Sequence, residues 1–94
     1  MRKLVLTPKF KRSYRKYVAR NRFLQQRMED VLRSIQQDVF APGLGSHKLS
    51  GVLAGYWACS CGYDCRVIFS IEIDAESGQE VVVLLDIGTH DVVY

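Results

Sequence analysis

The hydrophobic pattern of this chain changes near residue 50, from a helical repeat to the alternation that is typical of strands. Between residues 10 and 35, apolar side chains recur three, four and seven positions apart, as on a helix with one buried face. From residue 51, apolar residues alternate with polar ones or run together, as in EVVVLLDI. The pattern therefore predicts helices followed by a sheet against which they pack.

Local signals set the boundaries of two helices. Thr7 can cap the first helix, and Pro8 suits its first position because the N–H that Pro lacks would be unpaired there. Asn21 indicates a cap or turn before the second helix, which should end near Asp38 because the glycines and proline of FAPGLGSH follow. The two apolar stripes are Phe10, Tyr14, Tyr17 and Val18, then Leu24, Met28, Val31, Leu32 and Ile35.

The remaining apolar segments predict four strands. KLVL precedes the helices, whereas GYWACSC, CRVIFSIEI and EVVVLLDI follow them and are joined by the turns GYD and DAESGQ. The last of these is almost wholly apolar and should be an interior strand. We expect an α+β fold in the order β-α-α-β-β-β, with a mainly antiparallel sheet and an N-terminal helical hairpin on one face. Ninety-four residues, 48% of them hydrophobic, allow one folded domain spanning residues 1–94.

The net charge of +3 hides an uneven distribution. Residues 1–33 hold 11 of the 13 lysines and arginines but two of the ten acids, whereas residues 34–94 carry a charge of −6. Because few acids offset these cations, we expect a polyanionic partner rather than a helix surface that merely faces solvent. The cations expected to contact it are Lys9, Lys11, Arg12, Arg15, Lys16, Arg20, Arg22 and Lys48.

The three cysteines, Cys59, Cys61 and Cys65, lie together in CSCGYDC. No apolar run reaches the ~18 residues of a spanning helix, and LVL is too short for a signal peptide, so we expect a soluble cytoplasmic protein without a membrane partner. An odd cysteine count in such a chain argues against a disulfide framework. A Cys3His zinc site with His47 or His90 is conceivable, but the spacing is unlike the usual knuckle. We therefore expect buried small hydrophobic side chains and no metal or other cofactor.

A few reactive side chains should meet at one edge of the sheet. Asp64 and Arg66 begin the middle strand of the meander, and His90 and Tyr94 follow its last strand. These two ends lie at the same edge of an antiparallel sheet, and His47 precedes the segment that enters it. Each residue alone also has an ordinary structural interpretation: Arg66 could pair with Asp64, and Tyr94 could fill a gap beside the sheet.

Together, such side chains suit the cleavage of RNA. Histidine can remove a proton from a 2′-hydroxyl or donate one to the leaving 5′-oxygen, because its ordinary pKa of ~6.5 is near neutrality. Arginine stabilises the charge that the phosphate gains, a carboxylate can orient a histidine, and tyrosine can stack on a base. This chemistry requires no metal.

The segments HKLSGVLAGYW, DCRVIFSIE and VVVLLDIGTHDVVY, after a strand and a basic helical hairpin, resemble the RelE/ParE superfamily of bacterial type II toxins. The similarity is greatest to the YafQ and RelE branch. It implies a RelE-like toxin domain that cleaves mRNA in the ribosome by attack of the 2′-hydroxyl on the adjacent phosphate, and so inhibits translation. It also implies three partners, namely mRNA, the ribosome and a cognate antitoxin, for which we expect an acidic segment.

The resemblance assigns roles to the candidate residues. It implies that His90 is the general acid, His47 a base or phosphate ligand, Asp64 an active-site carboxylate, Arg66 the phosphate-stabilising cation and Tyr94 the terminal aromatic residue.

The sequence departs from the YafQ pattern at Ser60, where the family has another histidine, so His47 or Asp64 would have to act as base. Three alternatives remain: a ParE-like poison of DNA gyrase without nuclease activity, a ribosome-independent RNase, and an inactive protein that only sequesters an antitoxin.

Overall fold

The computed structural model describes residues 2–62 and 64–88, which form five strands and two helices. The strands are β1 (Lys3–Leu6), β2 (His47–Lys48), β3 (Trp57–Gly62), β4 (Cys65–Ile73) and β5 (Glu80–Gly88). The helices are α1 (Pro8–Val18) and α2 (Arg22–Gln37), and two short 3-10 turns, Pro42–Leu44 and Gly51–Leu53, lie between α2 and β3.

All five strands form one sheet in the order β1-β5-β4-β3-β2. β1 is parallel to β5, and the other neighbours are antiparallel. The predicted α+β fold, mainly antiparallel sheet and interior last strand are confirmed. The prediction lacked only β2, an edge strand of two residues that is too short to show a period of its own.

Both helices begin at the predicted caps. The Thr7 hydroxyl accepts a hydrogen bond from Phe10 N (3.1 Å) and donates one to Leu84 O (2.8 Å), so it joins the start of α1 to β5. The Asn21 side-chain oxygen accepts from Leu24 N (3.0 Å) at the start of α2, which ends at Asp38 as predicted. The ends of the helices therefore follow from local side-chain chemistry.

The sheet has a core on each face. The larger core packs both helices against β3, β4 and β5, and its fully buried members include Phe10, Ile35 and Phe69. On the opposite face, a smaller cluster of Leu49, Ala58 and Ile68 is covered by the loop that leads into β3 and contacts Leu53 and Leu85. We call this second side the open face, because the helices pack on the other side.

The cysteine prediction is partly wrong. All three cysteines are buried, as expected, but Cys61 and Cys65 form a disulfide, with Cα atoms 5.0 Å apart. The antiparallel register pairs Ser60 with Arg66 and Gly62 with Cys65, and Cys61 lies at the bulge between these pairs, within disulfide distance of Cys65. Cys59 remains a buried free thiol.

Candidate functional site

The candidate site lies on the open face of the sheet. His47 pairs with Ala58 of β3, and Ser60 pairs with Arg66 of β4. Paired residues point to the same side of a sheet, as do residues two apart on one strand. His47, Ser60 and Arg66 therefore share the face that also carries the cluster of Leu49, Ala58 and Ile68.

His47 is half-buried at the edge of the sheet and anchored by its own segment. Its Nδ1 lies 3.1 Å from Gly45 O, and Gly45 has a left-handed backbone (φ 58°) that ends the first 3-10 turn. Because a carbonyl oxygen only accepts hydrogen bonds, this contact places the proton on Nδ1 in the neutral ring. Nε2 is then the nitrogen that carries the lone pair, and this atom is buried.

Arg66 is half-buried and bonded to the turn that precedes it. Its Nη1 donates to Cys65 O (2.9 Å) and to Gly62 O (3.4 Å). The Cys61–Cys65 disulfide closes the same turn, so the guanidinium is held at the end of the β3–β4 hairpin. Asp64 is exposed in this turn, directly before β4 rather than within it.

Ser60 occupies the position where the family resemblance implies a histidine. Its hydroxyl donates to Gly62 O (3.3 Å), the carbonyl that also accepts from Arg66. The Ser60 side chain therefore helps to hold the end of the β3–β4 hairpin in place.

His90 and Tyr94 lie outside the residues that the structure describes. The last described residue, Gly88, pairs with Arg66, which agrees with the predicted meeting of these two strand ends. The proximity of His90 and Tyr94 to Arg66 remains a prediction.

The basic surface lies mainly on the helices. All eight cations expected to contact a polyanion are exposed, and Lys9 lies 3.4 Å from the Asp86 carboxylate. Lys48 does not join His47, its neighbour in the chain. Its Nζ lies 5.6 Å from the centroid of Trp57, with which it pairs on the helix-packed side of the sheet.

A cavity on the open face was not predicted. It involves Tyr56 and Asp86 together with apolar side chains of three segments. Gly55, with φ 95°, precedes Tyr56 at the entrance to β3, and the sequence pattern assigned both residues to a strand. Sequence reasoning missed the cavity because its walls come together only through the strand register.

Within residues 2–62 and 64–88, no group of three His, Cys, Asp or Glu side chains could hold a metal ion. Over the same ranges, neither helix is long and apolar enough to cross a membrane.

Residues 2–94 match the protein family described as "Bacterial toxin of type II toxin-antitoxin system, YafQ". The chain belongs to this family of toxins. The expected resemblance to the RelE/ParE superfamily and its YafQ branch is thereby confirmed. No curated protein sequence matches the chain significantly.

Solved structures of YafQ-like toxins share the fold at low sequence identity. A YoeB/ParE toxin from Agrobacterium tumefaciens is 19% identical, with a TM-score of 0.74 over 94% of this chain and 98% of that one. YafQ from E. coli strain BL21(DE3) is 11% identical, with a TM-score of 0.74 over 100% and 99%. The toxin chain that matches in the E. coli DinJ-YafQ toxin-antitoxin complex is 13% identical, with a TM-score of 0.71 over 99% and 97%. The YafQ-family fold is thus retained although few residues are shared.

Proposed function

We propose that this toxin is a ribosome-dependent mRNA endonuclease of the cytoplasm, built as one domain over residues 1–94. The observation that carries the proposal is the placement of His47, Ser60 and Arg66 on one sheet face, with Asp64 in the adjoining turn. Membership of the YafQ toxin family supports it. A proton acceptor, a carboxylate and a phosphate-binding cation are the groups that this reaction needs.

In the proposed reaction, a 2′-hydroxyl of mRNA loses its proton and its oxygen bonds to the adjacent phosphorus, while the bond to the 5′-oxygen breaks. His47 or Asp64 receives the proton, since a serine hydroxyl cannot accept a proton at neutral pH without a base. Arg66 stabilises the charge on the phosphate. His90 protonates the leaving 5′-oxygen, and Tyr94 supplies the terminal aromatic residue of the site. These side chains supply the proton transfers and the charge stabilisation, so the reaction needs no metal ion.

The exposed cations of α1 and α2, with Lys48, would bind ribosomal RNA and hold the toxin over the mRNA. The same surface suits a cognate antitoxin with an acidic segment, because opposite charges attract at close range. A YafQ toxin solved with its antitoxin, in the DinJ-YafQ complex, supports this partner class.

The decisive experiment is a reconstituted translation reaction in which mRNA 5′ ends are mapped by primer extension. Wild type should cut mRNA only when ribosomes are present. We expect His90→Ala and His47→Ala to lower the rate by about 100-fold or more, as for a lost acid or base. Val52→Ala is the control, since that side chain is 99% exposed and lies outside the site.

Other outcomes would select a different function. Cuts without ribosomes would indicate a free RNase. Intact mRNA together with stalled gyrase–DNA complexes would indicate a ParE-like poison, and inactivity in both assays would indicate a protein that only sequesters an antitoxin.

A further inference from the structure

We propose that the cavity on the open face binds one nucleobase of the RNA, beside the phosphate that is cut. This inference rests on the proposed endonuclease activity and adds to it a determinant of sequence preference. The cavity measures about 360 Å³, which is within the range of small-ligand sites. It is lined by Thr7, Lys9, Leu53, Tyr56, Ile68, Leu85 and Asp86.

The strand register places this cavity next to the proposed phosphate position. Ile68 pairs with Asp86, and Arg66, two residues earlier on β4, pairs with Gly88. Side chains two apart on a strand share a face and are about 7 Å apart. A phosphate held at Arg66 would therefore leave a neighbouring base within reach of the cavity.

The walls of the cavity suit a planar, apolar ligand. Ile68 is 6% exposed, and Leu53 and Leu85 pack against it to form an apolar floor. Tyr56 lies beside this floor with 37% of its surface exposed. Two hydrogen bonds fix the backbone of Tyr56, from Tyr56 N to Leu53 O (3.1 Å) and from Leu49 N to Tyr56 O (3.0 Å). The base of the side chain is therefore held in place. Aromatic rings of this kind stack on nucleobases.

The rim of the cavity carries a carboxylate that can discriminate between bases. Asp86 Oδ1 accepts hydrogen bonds from Ser13 Oγ (2.5 Å) and Ile87 N (2.9 Å), which fix the side chain. Its Oδ2 lies 3.4 Å from Nζ of Lys9, whose side chain is 68% exposed and can also reach an RNA phosphate. A carboxylate accepts from the exocyclic amine of cytosine, adenine or guanine, a group that uracil lacks. We therefore expect discrimination against uracil at this position.

A protein side chain is a less suitable occupant. An acidic antitoxin segment would bring a second carboxylate close to that of Asp86, and two negative charges in close proximity repel each other. A nucleotide brings a neutral base to the carboxylate and places its phosphate towards Lys9 and Arg66. The charges at the rim therefore favour a nucleobase.

The first test uses a library of mRNAs with every base at each position of the codon in the ribosomal A site. Tyr56→Ala should lower cutting at preferred codons by roughly tenfold and flatten the preference, because a stacking partner is lost. Tyr56→Phe keeps the ring and should keep the preference. Asp86→Asn retains acceptors for Ser13 and Ile87 but adds a donor, so it should raise the relative cutting of uracil-containing codons.

Val52→Ala is the matched control, since Val52 is next to Leu53 but points to solvent. A uniform loss of rate with unchanged codon preference in Tyr56→Ala and Asp86→Asn would overturn the subsite and leave the endonuclease intact. Absence of cutting by wild type would instead refute the proposed endonuclease.

A second measurement is independent of catalysis. Methyl NMR signals of Ile68, Leu53 and Leu85 should shift when AMP, CMP or GMP is titrated to millimolar concentration, and should shift less with UMP. Tyr56→Ala should abolish these shifts. Signals that stay in place with all four nucleotides, or that respond only to a peptide from the antitoxin, would overturn the inference.

Discussion

At the scale of single residues, the proposed site depends on side chains that the hairpin end holds in place. His47 and Arg66 could be chosen from the sequence because their chemistry is unusual among the strand residues. Their common face could not be inferred from the sequence, because it depends on the pairing of β2, a strand that was not predicted. Tyr56 and Asp86 could not be chosen in the same way, since a tyrosine after a glycine and an aspartate in a strand have many ordinary roles. Their significance depends on which strands lie side by side.

The titration of Cys59 differs strongly from that of an ordinary thiol. Burial raises the pKa of this thiol to about 12, although the Arg66 charge and a backbone hydrogen bond at Val67 lower it in part. The thiolate is the reactive form, and it is formed only as the pH rises towards that value. Folded protein should therefore be almost inert to iodoacetamide at neutral pH.

The prediction is checked by mass spectrometry of native protein alkylated without reductant. The reaction of Cys59 should be at least about 100-fold slower than that of a free thiol at pH 8, and should accelerate with rising pH up to the pKa. Protein unfolded in urea is the control and should react fully. Rapid labelling of native Cys59 at neutral pH would contradict the burial of this side chain.

At the scale of elements, the helices and the antiparallel meander were predicted closely, whereas the register of the strands was not. Thr7, Pro8 and Asn21 are local signals, because each acts on backbone groups within three residues of itself. Strand register depends on turns and on contacts between distant segments, so the sequence pattern could not align Cys61 with Cys65. An odd number of cysteines argues against a framework of several disulfides, but it cannot exclude one pair across a hairpin.

The disulfide should stabilise the hairpin end that holds Arg66. Closing a loop of five residues restricts the unfolded chain, and loop entropy gives about 2 kcal/mol of stability. Dithiothreitol should therefore lower the Tm of wild type by roughly 10 °C. Thermal unfolding followed by circular dichroism measures this change.

Two variants separate the disulfide from other effects of the reductant. Cys59→Ala keeps the disulfide and should show the same shift, whereas the double variant Cys61→Ala, Cys65→Ala should melt at one temperature with or without dithiothreitol. Identical melting of wild type in both conditions would contradict a stabilising disulfide.

At the scale of the whole molecule, the exposed cations lie mainly on the helices, whereas the apolar cavity lies on the open face of the sheet. The predicted fold class was correct because it needs only the order of the elements and the side that each one buries. The exposed cations of α1 and α2 were likewise predicted, since positions off an apolar stripe must face away from the core. The open face required three-dimensional pairing and was therefore only partly predicted.

Association with ribosomes should depend strongly on salt. If six or more of the exposed cations contact phosphates, affinity should fall by about 1,000-fold or more between roughly 50 and 200 mM monovalent salt. Arg15→Glu should reduce both the affinity and the salt dependence, as measured by ribosome pelleting. Lys3→Glu changes the net charge equally at an exposed position of β1 and should have a smaller effect. Equal effects of the two substitutions would contradict a helix-borne binding surface.

The parallel pairing of β1 with β5 has a consequence for the synthesis of the toxin. β1 contains residues 3–6 and β5 contains residues 80–88, and β5 lies between β1 and β4 in the sheet. A ribosome must therefore complete nearly the whole chain before the sheet can close, because β5 is the one neighbour of β1 among the strands of residues 2–62 and 64–88. Arg66 likewise gains its β5 neighbour, Gly88, only at that stage. If the toxin cuts mRNA on ribosomes as proposed, an unfinished chain should not yet be able to act on the ribosome that is making it.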